Sequence, residues 1–600
     1  MPCRRGTHAR RPHPPVFARD AMNILGLSCF YHDAAAALVQ DGKLIAAAQE
    51  ERFTRKRHDD SFPSNAIDYC LSFSGLRTGD LDHIVFYDRP FIKFERIIQT
   101  YIATFPLGFR SFLKALPVWL KEKMWIPQRI NEELGFEGRP LFTDHHISHA
   151  ASAFLVSPFE EAAILTLDGV GEWETTTFGK GQGTNIQLLR SIWFPHSLGL
   201  LYSAFTYYLG FRVNSAEYKV MGLAPFGEPK YYKTIMDELV SLKDDGSFRL
   251  NMRYFTYHYG LTMTGRMFER LFGQARREPE SPMTQFHKDM AASIQKATDT
   301  IVVRMARHIR QETGMKHLCM AGGVALNCVS NSRILEETDF EDVFVQPAAG
   351  DAGGAVGAAY YVYNTILGNP RTYVMNDVFL GPAYSDADIE GTLRQYGIPF
   401  AKCMREDLLR RTASLIAEQK VIGWFQGRME FGPRALGGRS IIADARNPEN
   451  RSIVNLKIKF RESFRPFAPT VLEDQTGRYF IPDRPSPFML FIATVREEMR
   501  NIPAVTHVDG SARLQTVSRE QNELYYDLLK EFERQTGCPV IINTSFNVRG
   551  EPIVCSPEHA LRCFLRTEMD CLVIGSYIVT KEGLNKGDFA RLLDEVFEPD

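Results

Sequence analysis

The sequence predicts an α/β protein whose N-terminal part is built twice from one pattern, followed by a second α/β unit. Three observations carry this. Apolar strands Ile24–Leu27 and Ala162–Leu167 each run into a polar turn and then into a further strand, Ala34–Val39 in the first copy and Thr175–Phe178 in the second. Two later apolar runs, Lys316–Met320 and Val343–Gln346, feed small-residue turns (AGGVALN at 321–327, AGDAGG at 349–354) and then helices. After NTILGNPRTYVMND at 364–377, the pattern restarts from Phe379 with a helix, the strand Val421–Trp424 and a long basic loop.

In the first copy the strand ends in Ser28-Cys29-Phe30-Tyr31-His32-Asp33. Ala34–Val39 and Leu44–Ala48 then join across Asp41-Gly42, a dipeptide suited to the positive φ of a tight hairpin. Residues 91–130 are rich in Phe, Leu, Ile and Trp, but Lys and Arg interrupt them too often for a membrane span of about 20 residues. They read as two or three amphipathic helices, serving as core or substrate lid. Thr143 or Asp144 caps an Ala-rich helix that follows. The second copy ends its strand in Asp168-Gly169-Val170-Gly171-Glu172. In the two later turns, glycines let the backbone approach a ligand closely, and the helix N-terminus favours a phosphate. Neither turn has P-loop or Rossmann spacing. Two copies with polar tips predict a domain that closes on a nucleotide.

Six hundred residues exceed what one core organises, so two or more domains are expected. With 44% apolar and 24% charged residues the composition is that of a globular protein, and wholesale disorder is excluded. Lys+Arg number 70 against 72 Asp+Glu, which leaves no overall electrostatic footprint for nucleic acid or an anionic membrane. The cysteines include no C-x-x-C pair and sit in apolar runs such as HLCMAGG, pointing to reduced, buried thiols and a cytoplasmic location. Residues 1–21 are Arg- and Pro-rich without an apolar stretch. They read as a disordered tail, neither signal peptide nor anchor.

Four groups of residues carry chemistry. His145 and His149 in DHHISHA stand at i and i+4 on one helix face, near enough to share a metal. A lone His pair on a helix is more often structural. Here Asp168 and Asp351, at the tips of separate strands, supply carboxylates that complete a site suited to Fe²⁺, Mn²⁺ or Zn²⁺. A zincin protease needs Glu after the first His of H-E-x-x-H, and this sequence has His146 there. His32 ends an apolar strand, where α/β folds place ligands, and its ordinary pKa suits it to take a proton from an alcohol. Asp33 reads as a turn residue bonding local N–H groups. Between Arg428 and Arg465, nine Lys/Arg stand against four Asp/Glu, interleaved with Gly, Pro and aromatics as a phosphate-gripping cleft requires. A solvated face or a nucleic-acid patch is the competing reading. Lastly, strand Val540–Ile542 runs into NTSFN at 543–547, donors for a phosphate or carbonyl oxygen, and Arg513 adds a cation from a Gly-bearing turn.

Ten ordered segments resemble the O-carbamoyltransferases of the nodulation and antibiotic-tailoring family. They are ILGLSCFYHDAAAALVQDG at 24–42, EERFTRKRHD at 50–59, DHHISHA at 144–150, LTLDGVGE at 165–172, AEYKVMGLAP at 216–225, AGGVALN at 321–327, GDAGGA at 350–355, GRMEFGPRALGGRS at 427–440, KFRESFRPFAP at 459–469 and NTSFN at 543–547. The resemblance implies an actin/Hsp70-like (ASKHA, Kae1-like) duplicated domain over 22–368, with a helical insert at about 90–140. It implies a linker at 369–378 and a YrdC-like α/β domain over 379–600. The C-terminal domain of this family forms carbamoyladenylate from carbamoyl phosphate and ATP, with Mg²⁺ on the ATP. The metal-containing N-terminal domain transfers the carbamoyl group to a hydroxyl of a natural product or glycan.

By motif position, the resemblance places metal ligands at His145, His149, Asp168 and Asp351, with Fe²⁺ the first choice, and the transfer-site histidine at His32. Nucleotide or carbamoyladenylate contacts fall on Arg57, Gly323, Asn327, Arg434, Arg465 and Asn543. Carbamoyl phosphate contacts fall on Lys459, Arg461, Arg513, Ser545 and Asn547. Gln49-Glu50-Glu51, where family members often carry a third acid, leaves the acceptor open. The expected partner is a small hydroxylated acceptor, with no nucleic acid and no membrane, and the family pattern implies a homodimer. Two other functions compete. One is a tRNA-modifying (threonylcarbamoyl-type) or RNA-binding protein, opposed by the balanced charge. The other is a nucleotide-binding scaffold without turnover, opposed by the retained Lys, Arg and Ser.

Overall fold

The computed structural model describes residues 21–582 apart from Ser463, together with Leu584; the tail read at 1–21 lies, save Ala21, outside the described residues. Two five-stranded sheets share one topology. In the first, β1 (Asn23–Ser28), β2 (Ala35–Gln40), β3 (Lys43–Gln49), β4 (His83–Phe86) and β5 (Leu141–Phe142) lie in the order β3-β2-β1-β4-β5. β1 to β3 form antiparallel pairs, and β4 and β5 add in parallel. In the second, β6 (Glu161–Leu167), β7 (Glu174–Gln182) and β8 (Asn185–Trp193) are followed by His317–Ala321 and Asp342–Val345. The order is β8-β7-β6 and then those two strands, with the same antiparallel and parallel pairings. That repeated order is the duplicated actin/Hsp70-type arrangement the sequence predicts. Short turns serve the antiparallel pairs and crossover segments the parallel ones. Asp41 (φ 47°) and Gly42 (φ 79°) make the first hairpin's turn.

Small residues bring the two copies into contact. Helix Asp351–Tyr360 (DAGGAVGAAY) lies against both β1 and helix His145–Phe154. A Cβ at Gly26 would stand 1.9 Å from the Ala355 carbonyl oxygen, and one at Gly357 would stand 1.8 Å from that of Ser148. Glycine at both positions lets the backbones meet, which brings Asp351 beside the imidazoles of His145 and His149.

The C-terminal unit is a mixed α/β layer with its own apolar core. The eight strands of its larger sheet lie in the spatial order Ala401–Lys402, Tyr577–Thr580, Cys571–Ile574, Ile422–Phe425, Arg439–Asp444, Val540–Ser545, Ala468–Leu472 and Gln515–Val517, and Phe480–Ile481, Ile492–Val495 and Ser511–Arg513 form a smaller one. Between β4 and β5, three helices form: Pro90–Thr104, Phe109–Lys121 and Ile126–Leu134. Among the described residues, no helix is long and apolar enough to cross a membrane. The described cysteines are all free and buried.

A short helix, Glu51–Thr54, and the residue after it join the units. Arg52 donates to the Gly432 carbonyl at 2.8 Å. Arg55 donates to the carbonyls of Pro552 (2.7 Å) and Ile553 (2.8 Å) and pairs with Glu551 at 2.9 Å. Arg55 and Glu551 are both buried, so removing one partner strands a charge in the interface. Loss of one member of such a pair costs roughly 3–5 kcal/mol. Arg55→Ala is therefore expected to lower unfolding free energy by about that amount in chemical denaturation. A midpoint equal to wild type would show that this ion pair does not hold the units together.

Candidate metal centre and arginine-lined activation site

His145 and His149 point their Nε2 atoms at each other across 3.1 Å. Asp168 Oδ2 lies 3.1 Å from His145 Nε2, and Asp351 Oδ1 lies 3.9 and 3.7 Å from the two imidazoles. The four ligand atoms all fall within 4.8 Å of one another. Neighbours fix each group. Gly323 N–H donates to Asp168 Oδ1 at 3.0 Å, and the Tyr87 hydroxyl donates to Asp351 Oδ2 at 3.0 Å. The helix begins after Asp144, but neither Thr143 nor Asp144 caps it with its side chain. Asp144 instead pairs with Arg89 at 2.9 Å, and Glu172, from the tip after β6, accepts the His145 N–H at 3.1 Å. A carboxylate from the facing turn thus replaces the local cap.

These residues fit a divalent cation. Metal–ligand bonds of about 2.0–2.2 Å set donor atoms roughly 3–3.5 Å apart, close to the separations seen here. The Nδ1 atoms of both histidines are buried without a partner among the described residues, and both Nε2 atoms converge on carboxylates. Burial pushes the Asp168 and Asp351 carboxyls up, but hydrogen bonds from the two histidines outweigh it and hold both below the ordinary value, so both stay ionised. His146 turns away to Thr166 Oγ1 (2.7 Å) and the Glu174 carbonyl (3.0 Å). Burial, reinforced by His145 and His149, lowers it to about 3, which leaves it a neutral structural residue.

His32 sits in a second cluster. Its Nε2 lies 2.9 Å from the Asn214 carbonyl, which only accepts, and its Nδ1 lies 3.0 Å from Asp33 Oδ2. Both nitrogens therefore face acceptors, and the ring is held as an imidazolium. Burial acts against that charge, but Asp33 and, more weakly, Asp351 and the Asn214 carbonyl raise its pKa to about 10. Asp33 does more than close a turn: its other oxygen lies 2.7 Å from His58 Nδ1. His58 reaches Ser215 Oγ at 3.1 Å through Nε2. Sequence reasoning passed over His58, although it stands in the EERFTRKRHD segment; no spacing rule links it to Asp33.

The C-terminal residues form a cluster of like charges. Arg434, Arg461 and Arg513 are lowered by burial, and neighbouring guanidiniums press Arg461 and Arg513 further, the latter to about 9. Arg434 Nε, Arg513 Nε and Asn543 Oδ1 are buried without partners among the described residues. Arg465 pairs with Glu462 at 3.7 Å, but Arg434, Arg461 and Arg513 make no ion pair among the described residues, and packed cations of that kind make a site for a polyanion. Lys459 and Arg461 have structural partners as well. Lys459 Nζ donates to the carbonyls of Ser545 (2.6 Å) and Asn547 (2.8 Å), pinning the turn that holds Ser545 Oγ 2.7 Å from Asn547 Oδ1. Arg461 Nε donates to Asn455 Oδ1 at 2.7 Å. The basic loop contributes less than its composition predicts. Arg428 donates to the Ile45 carbonyl (3.0 Å), and Arg439 donates to those of Gln426 (2.8 Å) and Pro382 (2.9 Å). Both are structural, while Arg434 faces the cavity.

One cavity of about 1330 Å³ joins the two groups, and every site residue read from the sequence lines it except His145 and His149 behind the carboxylates. Tyr218 stands midway, its ring 5.9 Å from the Arg57 guanidinium and 4.7 Å from that of Arg465. Asn327 lines the cavity and also caps helix Cys328–Glu337, accepting the Ser330 N–H at 3.2 Å.

Two family profiles match the chain: "Carbamoyltransferase N-terminus" over residues 23–360 and "Carbamoyltransferase C-terminus" over 413–581. The uncharacterised protein sll1178 of Synechocystis sp. is 52% identical over 96% of this chain and 100% of its own length. Nodulation protein NolNO of Sinorhizobium fredii is 41% identical over 94% of this chain and 81% of its own. Nodulation protein NolO of Bradyrhizobium diazoefficiens is 43% identical over 75% of this chain and 81% of its own.

The four-ligand geometry carries a direct expectation. Purified His145→Ala should retain less than about a tenth of the divalent metal held by wild type, by plasma mass spectrometry. Equal metal content in the two proteins would remove the centre.

Proposed function

The chain belongs to the carbamoyltransferase family and is a carbamoyltransferase, and from that premise we propose an ATP-dependent O-carbamoyltransferase that works in two steps within one cavity. The observation that carries this reading is the continuity of the cavity, with buried arginines at one end and His32, Asp168 and Asp351 at the other. In the first step water takes the phosphoryl group of carbamoyl phosphate, releasing phosphate. The carbamate left behind attacks the α-phosphorus of ATP, giving carbamoyladenylate and pyrophosphate. Two polyanions meet there, and Arg434, Arg465 and Arg513 offset their repulsion. Lys459 keeps Ser545 and Asn547 in place to orient them.

In the second step the acceptor oxygen attacks the carbamoyl carbon, its proton passes to a base, and AMP leaves. His145, His149, Asp168 and Asp351 would hold a divalent cation, Fe²⁺ by the family pattern, which when bound supplies positive charge for the adenylate phosphate. Arg57 and the backbone at Gly323 lie on the same wall to hold the nucleotide. Carbamoyladenylate decomposes in water, so a shared enclosure favours transfer over loss. Buried arginines recessed in a cavity suit a small polyanion better than a polynucleotide.

His32 is the group we assign to take the acceptor proton. It must first give up one of the two ring protons it donates to the Asn214 carbonyl and to Asp33, and the sign of the pH dependence follows. The working form is the neutral ring, and a pKa raised to about 10 leaves little of it at neutral pH. kcat/KM should therefore rise with pH through the range below that value and level off above it. Asp33→Asn should move the rise to lower pH, and a flat profile from neutral pH upward would contradict the assignment. The overall reaction is tested by incubating the purified chain with ATP, carbamoyl phosphate and a panel of hydroxylated acceptors. AMP should form in step with a mass gain of one carbamoyl group on an acceptor, and Arg513→Met should slow it by about 100-fold. ADP in place of AMP, or carbamoylation without ATP cleavage, would overturn the scheme.

A further inference from the structure

The first two helices of the insert, Pro90–Thr104 and Phe109–Lys121, form an antiparallel hairpin. Phe94 packs on Trp119 with ring centres 5.6 Å apart, and Tyr101 packs on Phe112 at 5.1 Å. One face of the hairpin lines the cavity through Lys93, Arg96, Ile97 and Trp119. Its tip and outer face are apolar and uncovered. Ile102, Phe105 and Leu107 are 73%, 72% and 68% exposed, and Phe109, Leu113 and Leu120 are half exposed. The loop that holds the tip, where the Tyr259 carbonyl accepts from the Ser111 hydroxyl at 2.5 Å, adds the exposed Leu261. Along the second helix Phe109, Leu113 and Leu120 share one stripe, and the exposed Arg110, Lys114 and Lys121 share the stripe beside it. Residues 96–121 contain no Asp or Glu, and neither do residues 256–265 of the neighbouring loop. Arg110, Lys114 and Lys121 make no ion pair among the described residues.

An apolar patch of this kind on a soluble surface marks a place of contact, and its chemistry says with what. A second copy of the chain would bring the three cations against their own counterparts, with no carboxylate between them. A protein partner would have to match the shape of a protruding four-residue turn. The headgroup layer of a bilayer is fluid, so it admits such a turn without a matching groove, and it sets anionic phosphates beside an apolar interior. We propose that the hairpin tip, with the stripe of Arg110, Lys114 and Lys121, is a docking surface for an anionic membrane face. The apolar side chains enter the boundary between headgroups and acyl chains, and the cations lie on the phosphates. The balanced charge of the whole chain, from which no membrane partner is expected, averages over this local surface. The attachment is peripheral and independent of the chemistry in the cavity, except that it brings the insert side of the cavity toward the bilayer.

Co-sedimentation of the full chain with two kinds of vesicle tests it, one of phosphatidylglycerol and phosphatidylcholine in equal parts, the other of phosphatidylcholine alone. The anionic vesicles should bind about tenfold more tightly or better, and raised salt should weaken that binding steeply. Arg110→Gln with Lys114→Gln should weaken it by about 30-fold, and Phe105→Ser with Leu107→Ser by about tenfold. All four positions are exposed, so both double variants should unfold at the wild-type midpoint. No binding to the anionic vesicles, or equal binding to the two compositions, would overturn the proposal. So would binding that survives both double variants, which would place the attachment elsewhere in the chain, the Arg-rich residues 1–21 included. A dimer in solution that the Phe105→Ser with Leu107→Ser variant takes apart would give the tip to a second copy and overturn it likewise.

Discussion

The grip of Arg52 and Arg55 on the C-terminal unit is the constraint on which the shared cavity depends. Their guanidiniums are buried at the junction, where carbonyls at Gly432, Pro552 and Ile553 and the Glu551 carboxylate accept from their terminal nitrogens, while the Nε of each has no partner among the described residues. Hydrogen-bonded, desolvated cations of this kind fix geometry more than they add stability. What they fix is the approach of the loop after Val540–Ser545 to the polar tip after β1. The same ten-residue segment that carries them also carries Arg57 and His58 to the cavity wall. One stretch of chain therefore serves both the junction and the chemistry.

Across that junction the cavity has two poles of different chemistry. Imidazoles and carboxylates gather where the strands of the duplicated domain end, and guanidiniums gather where Val540–Ser545 ends. Tyr218 stands between Arg57 and Arg465, so cationic contacts continue along the wall from one pole to the other. A phosphate held at the arginine end thus meets further positive groups as it moves toward Asp168 and Asp351. The small-residue packing of Gly26 and Gly357 matters at the far end, because it brings Asp351 within 4 Å of both imidazoles.

The duplicated topology was legible because it rests on local pattern: apolar runs, turn dipeptides and glycine-bearing loops recur in the same order in both copies. The candidate metal ligands could be gathered from the sequence because His145 and His149 share one helix face, Asp168 directly follows a strand and Asp351 opens the helix after a glycine-bearing turn. Three features were not. His58 meets Asp33 through tertiary folding, and Glu172 caps a helix from the turn between β6 and β7. The basic loop divides into the structural Arg428 and Arg439 and the cavity-facing Arg434, residues of identical type in one loop. Long-range hydrogen bonding made each of these choices, and neither spacing nor composition records it. The role of Lys459 belongs with them: the K-x-R segment lies on the cavity wall, but the lysine's carbonyl partners appear only once the S-x-N turn folds back on it.

Confinement of the intermediate is the central claim, and mixing two variants tests it most directly. His145→Ala disables the transfer end and Arg513→Met disables the activation end. Combined in equal amounts with ATP, carbamoyl phosphate and an acceptor, they should carbamoylate it no faster than the sum of the two alone. Recovery of a substantial fraction of wild-type rate on mixing would mean that carbamoyladenylate leaves one molecule and enters another, and would contradict a single enclosed passage.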